Sequence, residues 1–196
     1  MIIKSISDPK VVELLNKSKI GILPSDTIYG VMVKATDETA VNKLYELKKR
    51  EQKPGTIIAA SVEQLEELGI KHRYLKAVEQ YWPNPLSIII PTGLELAYLH
   101  QGKMTLAVRI PKDKSVQHLL EKTGPLVTSS ANTPGDSPAN TIEEAQKYFG
   151  DAVDFYVDGG DLSNRPPSTI IRIIDDAIEV LREGAVKIDE NGRINK

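Results

Sequence analysis

Apolar and polar positions fall into two rhythms that alternate along the chain. Period-two or continuously apolar runs read as strands, and three-to-four spacings as helices. Asp8 followed by Pro9 has the form of an N-cap and first helical residue, and opens a short helix through "KVVELLNKS". "KIGILPS" and "TIYGVMVKA" read as the first two strands. "DETAVNKLYELKKR" carries the strongest helical pattern: Asp37 suits the cap, and Val41, Leu44 and Lys48 share a face with Ala40 and Leu47 beside them. "TIIAA" is a strand, and Ser61-x-x-Gln64 has the capping-box form that opens "VEQLEELG".

A further helix is expected at "YLKAVEQYW", then strands at "PLSIIIP" and "MTLAVRIP". "SVQHLLEKTG" reads as a helix stopping at Gly124, and the next strand runs into "GPLVTSSANTPG". Thr141-x-x-Glu144 opens a helix through Phe149, and "AVDFYVDGG", "STIIRIID" and "AIEVLREG" close the chain as strands. The charged tail "VKIDENGRINK" is expected to fray. No repeat, low-complexity segment or Gly/Ser linker interrupts the alternation. The pattern predicts one α/β domain over residues 1–187, built on a large mixed sheet, and a short tail over 188–196.

Polarity concentrates at element ends, where sites on open α/β sheets tend to sit. Ser25, Asp26 and Thr27 part the first two strands, which a polar turn alone would explain. "LKKREQKPG" ends a helix in cations that complement its dipole. Lys48 and Arg50 lie about 200° apart on a continuing helix, so they converge on an anion only if the helix stops near Lys49. In extended geometry Thr128, Ser130 and Asn132 share one face, a row fit for phosphate or sugar oxygens; a self-satisfied Asx or Ser/Thr turn is the equal alternative. Ser168 and Thr169 start a strand after two prolines, and Arg182 ends another before Gly184. Arg109 stands in an otherwise apolar strand and needs a partner or a ligand.

Composition removes several chemistries. The 196 residues include no cysteine, which excludes disulfides, thiolate nucleophiles and sulfur-ligated zinc. The three histidines show no metal-ligand spacing, and a formal charge of −2 gives no overall basic footprint for nucleic acid. The N-terminus lacks a signal-peptide core and no apolar run is long enough for a membrane span, so a soluble cytoplasmic protein without membrane contact is expected. Neither G-x-x-x-x-G-K-[ST] nor G-x-G-x-x-G is present, and no carboxylates cluster as a two-metal site. Cations and neutral donors remain, groups that position and neutralise anions, as phosphoryl or nucleotidyl transfer requires.

Taken together, "PSDTIYG" (24–30), "KKR" (48–50), "RIP" (109–111), "SAN" (130–132), "ST" (168–169) and "LREG" (181–184) resemble, in order, the motifs of the YrdC/Sua5 family of threonylcarbamoyl-AMP synthases. Each motif alone is weak, but six in order over nearly the whole chain are specific. The resemblance is to the short form, without the second domain of the longer Sua5 type. One departure is Met32, where the family often has a second glycine after the tyrosine.

This resemblance implies the YrdC-like single domain, a large twisted mixed sheet flanked by helices with a concave substrate-binding face. It implies synthesis of L-threonylcarbamoyl-AMP and pyrophosphate from L-threonine, bicarbonate and ATP, with Mg²⁺ entering alongside ATP. A partner enzyme would then transfer the threonylcarbamoyl group to adenosine 37 of tRNAs, giving t6A. By match to the family motifs, Lys48, Arg50, Ser130 and Asn132 surround ATP and the reacting phosphate, with Thr105 and Arg182 as further ATP contacts. Thr27, Arg109, Thr128 and Ser168 match the threonine pocket. Two alternatives within the fold stay open. One is a non-catalytic module for double-stranded RNA or ribosome maturation, contacting RNA through Lys43, Lys48, Lys49, Arg50 and Lys53. The other is a paralogue acting on another carbamoyl-type substrate.

Overall fold

Strand pairing organises the chain around one sheet. The computed structural model describes residues 1–49, 53–175, 177–189 and 193–195. Its strands are β1 (Ile2–Ile3), β2 (Gly21–Pro24), β3 (Tyr29–Lys34), β4 (Thr56–Ile58), β5 (Leu86–Pro91), β6 (Thr105–Arg109), β7 (Leu126–Ser130), β8 (Phe155–Val157), β9 (Thr169–Ile174) and β10 (Ala177–Arg182), with β11 (Lys187–Ile188) and β12 (Ile194–Asn195). The helices are α1 (Pro9–Asn16), α2 (Glu38–Leu47), α3 (Val62–Glu67), α4 (His72–Lys76), α5 (Ala97–His100), α6 (Lys114–Thr123) and α7 (Ile142–Phe149). Ten strands form a mixed sheet in the order β1-β8-β2-β3-β7-β4-β6-β5-β9-β10.

The caps read from sequence are in place. Asp8, Asp37, Ser61 and Thr141 each accept a hydrogen bond from a backbone N–H of the first turn of α1, α2, α3 and α7. Gly124 ends α6 at φ 76°, a left-handed position that glycine occupies without penalty.

Strand alternation sorts the buried side chains onto two faces. Ile22, Val31, Val33, Ile57, Val127 and Val108 belong to the larger core, with Leu44 and Tyr45 of α2, Leu65 of α3, Leu75 of α4, Leu99 of α5 and Phe149 of α7. The opposite face carries Leu23, Met32, Ile58, Leu126, Phe155 and Val157 against Val11 and Leu15 of α1 and Leu119 and Leu120 of α6. Each such leucine or isoleucine contributes about 1.5–3 kcal/mol on full burial. The second layer stops short, however. Thr105 and Ala107 of β6, Ser87 and Ile89 of β5 and Ile170 of β9 point to the α1/α6 side but belong to neither core. Two helices cannot roof ten strands, so among the described residues this part of the face is left uncovered.

Several elements differ from the sequence pattern. The helix expected over "YLKAVEQYW" is instead α4 followed by a 3₁₀ turn, Glu79–Tyr81. Val78 leaves helical geometry, and Trp82, which precedes Pro83, is extended, as a residue before proline prefers. The tail pairs rather than frays: β11 and β12 form an antiparallel ribbon whose Ile188 and Ile194 pack against the larger core. Too short to carry a periodicity, β1 and α5 had no signature. Among the described residues, no helix is long and apolar enough to cross a membrane.

Candidate functional site

The uncovered part of the sheet is the floor of a cleft of about 240 Å³. Register puts Thr128, Thr56, Ala107 and Ile89 side by side across β7, β4, β6 and β5. Three walls rise around them: the turn Ser25–Gly30, the group Arg109, Pro167, Ser168 and Arg182, and the end of β7 at Ser129 and Ser130. The floor is made of small or neutral side chains, so it leaves depth for a ligand, and the walls supply the polarity.

The first wall is a tight turn. Ser25 Oγ donates to the Ile28 carbonyl at 2.7 Å and accepts from the Thr27 N–H at 3.1 Å. Thr27 Oγ1 lies 3.0 Å from Ser25 Oγ, whose single proton is already given to Ile28. Thr27 is therefore the donor, and its lone pairs remain as acceptors at the cleft.

The second wall is a chain of polar groups across three strands. Arg109 is 4% exposed and its Nη2 lies 3.0 Å from Oδ1 of Asp26, which is 3% exposed. Arg109 Nη1 donates to Ser87 Oγ at 3.3 Å, and Ser87 and Ser168 share a hydrogen bond at 3.1 Å. Arg182 Nη2 donates to Ser168 Oγ at 3.0 Å. Each serine thus accepts from an arginine, and one hydroxyl proton of the two is left to donate to a ligand. Burial lowers the pKa of Arg109 while Asp26 supports its charge; burial and then Arg109 lower that of Arg182. For Asp26, burial pushes the carboxyl above its usual range and Arg109 pulls it back in part. Among the described residues two guanidiniums face one carboxylate, an imbalance that a ligand anion would remove.

The third wall is held from behind. At the C-cap of α2, Lys48 is 3% exposed, and Lys49 turns the chain at φ 47°. The helix therefore stops where convergence on an anion requires. Lys48 Nζ donates to the Ser130 carbonyl at 2.7 Å and to the Asn132 carbonyl, and lies 5.6 Å from the centre of the Phe149 ring. Asn132 Oδ1 accepts from Ser130 Oγ at 2.6 Å, while Nδ2 donates to the Thr133 and Asp136 carbonyls, both at 2.8 Å.

Of the residues singled out from sequence, Thr27, Arg109, Thr128, Ser130, Ser168 and Arg182 line this one cleft. Lys48 positions the β7 end without lining the cleft, and Asn132 spends its amide on Lys48, Ser130 and the carbonyls of Thr133 and Asp136, so the row read through position 132 ends at Ser130. Thr105 lies two residues before Ala107 on the same face of β6, past the lined volume. Arg50 lies outside the described residues. Sequence reasoning missed Asp26 as the partner that Arg109 requires, since Ser25, Asp26 and Thr27 read as a turn. It also missed Ser87, the one polar residue inside "PLSIIIP" and opposite in face to Leu86 and Ile88. Met32, paired with Thr128, is buried in the α1/α6 core beside the cleft. Among the described residues, no cluster of three carboxylates or imidazoles could hold a metal.

The sequence model of the Sua5–YciO–YrdC family, described as "Telomere recombination", matches residues 13–184. The threonylcarbamoyl-AMP synthase of Marinobacter nauticus is 34% identical over 157 residues, which cover 77% of this chain and 83% of that one. That of Idiomarina loihiensis is 33% identical over 176 residues, covering 85% of this chain and 94% of its own. Among solved structures, Pyrococcus abyssi Sua5 complexed with L-threonine superposes with a TM-score of 0.82 at 27% identity. The match covers 95% of this chain but only 58% of that longer one.

Proposed function

This chain belongs to the Sua5–YciO–YrdC family, and from that premise we infer that it is a threonylcarbamoyl-AMP synthase, acting in formation of t6A in tRNA. The single observation that carries the reading is the cleft itself. Segments from Thr27 to Arg182 converge on one volume with excess positive charge and neutral donors, in a chain whose relatives bear that name.

The chemistry needs no protein nucleophile. The amine of L-threonine adds to bicarbonate and loses water to give a carbamate, already an oxygen anion. Its attack on the α-phosphorus of ATP forms the mixed anhydride and expels pyrophosphate. The protein's part is alignment and neutralisation. In this reading Arg109 receives the amino-acid carboxylate, the spare hydroxyl proton of Ser87 and Ser168 donates to it, and Thr27 accepts from the amine. Thr128 lines the same pocket. Ser130 and Arg50 meet the phosphates at a wall that Lys48 and Asn132 order from behind, while Arg182 and Thr105 contact the nucleotide. A charge-assisted bond from one of these cations is worth about 1.5–3 kcal/mol. Mg²⁺ would arrive on the ATP phosphates with its waters, because the described residues offer no carboxylate cage for it. A separate transferring enzyme would carry the product to tRNA.

The test is pyrophosphate release by purified protein with threonine and bicarbonate each present or omitted. Release only when both accompany ATP is expected. Turnover of ATP without threonine, or none in any mixture, would overturn the reading.

A further inference from the structure

We propose that Asp26 is the positioning residue of the amino-acid site, its buried carboxylate fixing the Arg109 guanidinium in the orientation that receives the substrate carboxylate. The inference rests on the reading that the cleft takes an amino acid. Arg109 lines the cleft and Asp26 does not: it sits behind the guanidinium, on the turn whose neighbours Ser25 and Thr27 face the ligand volume. The guanidinium is held at two corners, by Asp26 at Nη2 and by Ser87 at Nη1.

Three observations separate this from an ordinary structural ion pair. First, the pair is almost wholly buried, at 4% and 3% exposure. Such a pair is poor at stabilising a fold, since desolvation offsets the attraction and apolar side chains of similar volume often serve as well. Second, the pairing is not aligned as a hydrogen bond, and both Asp26 oxygens and Arg109 Nε lack a hydrogen-bond partner among the described residues. Carboxylates that serve folding at buried positions are normally saturated with well-aligned donors, whereas Asp26 has Arg109 as its ion-pair partner and otherwise only the backbone N–H groups of Asp26 itself and Lys112 nearby. Third, Arg182 stands near enough to Arg109 to act on its charge, so among the described residues the Asp26 carboxylate offsets one cation and leaves net positive charge at the cleft for a substrate anion.

Asp26 also makes the site responsive to acid. The charged groups facing it are Arg109 on β6 and Asp113 at the N-cap of α6, with Arg182 beyond Arg109. Burial raises its carboxyl above the ordinary value of 3.8, with Arg109 opposing the shift only in part, so acid that protonates Asp26 releases Arg109.

Calorimetric titration of L-threonine and of ATP into wild type, Asp26→Asn, Asp26→Glu, Arg109→Lys and the Asp26→Asn/Arg109→Lys double variant tests the assignment. Asp26→Asn should bind L-threonine at least tenfold more weakly and ATP within twofold of wild type, and Asp26→Glu should recover part of the loss. The double variant should be no more than twofold worse than Arg109→Lys alone, because Asp26 acts through Arg109. Wild-type affinity for L-threonine should fall as pH is lowered from neutrality toward the ordinary carboxylate range, where threonine itself does not titrate, and Asp26→Asn should lack that fall. Asp26→Asn binding like wild type, or losses that multiply in the double variant, would overturn the proposal. So would a pH-independent wild-type affinity, a result that needs no variant to fold. Wild type that binds no L-threonine at all would instead overturn the functional reading beneath it.

Discussion

Arg182 clasps the backbone of Ser168. Its Nε and Nη2 donate to the Ser168 carbonyl at 3.0 and 2.8 Å, and Nη2 also reaches the hydroxyl. Two residues on, a Cβ on Gly184 would lie 2.2 Å from the Pro167 carbonyl oxygen, so the strand end and the cleft wall touch only because that side chain is missing. The Ala185 N–H completes the join by donating to the Pro167 carbonyl at 2.9 Å. The "LREG" motif is thus a clamp that places the Ser168 hydroxyl at the site.

Arg182→Ala should lower kcat/KM for pyrophosphate release by roughly ten- to a hundredfold, the equivalent of losing about 1.5–3 kcal/mol of charge-assisted bonding. Arg182→Lys should recover little, because an ammonium cannot make the same fork. Steady-state kinetics on both variants checks this; full activity in the lysine variant would contradict it.

Gly30 and Thr128 touch in the same obligatory way. A Cβ at position 30 would sit 2.4 Å from Thr128 Oγ1. Gly30→Ala should destabilise by about 1–3 kcal/mol through overpacking and weaken L-threonine binding. Adding Thr128→Ala should restore most of the stability but not the binding. Thermal melts and titration of the double variant measure the two effects separately.

Lys48→Met keeps the bulk and removes the ammonium. The Ser130 and Asn132 carbonyls then lose a buried donor, at a cost of about 1–3 kcal/mol. For a chain of this size that is a fall in Tm of several degrees, at roughly 2–4 °C per kcal/mol. Turnover should fall far more than stability, because the same cation orders the Ser130–Asn132 segment. Denaturation and pyrophosphate release on one preparation compare them.

Period-two reasoning placed Thr128 and Ser130 correctly because β7 stays extended through Ser130, and the caps Asp8, Asp37, Ser61 and Thr141 were legible because capping is local. Asn132 broke the pattern where its N–H turned back to the Ser130 carbonyl. Asp26 and Ser87 were invisible for the opposite reason: their significance lies in contacts with Arg109, which only the sheet order supplies. The two-residue β1 needs β8 from the other end of the chain before it exists as a strand.

Asp37 gives a pH signature to the helix that ends in Lys48. A hydrogen bond from the Ser18 hydroxyl, and then the Ala40 N–H, hold its carboxyl below the ordinary value of 3.8. A depressed carboxyl contributes stability that is present above that unfolded value and is lost as pH falls through the lower folded one. Asp37→Ala should therefore cost about 0.5–2 kcal/mol near neutrality. The gap in Tm between variant and wild type should narrow as melts are taken below about pH 4.

The most direct test of the central claim is titration of ATP into wild-type protein with and without saturating L-threonine. If one cleft holds both substrates side by side, L-threonine binds at a single site and tightens the affinity for ATP, and Arg109→Ala abolishes that enhancement while leaving ATP binding alone intact. Equal ATP affinity in the two titrations, or enhancement that survives Arg109→Ala, would contradict a shared site.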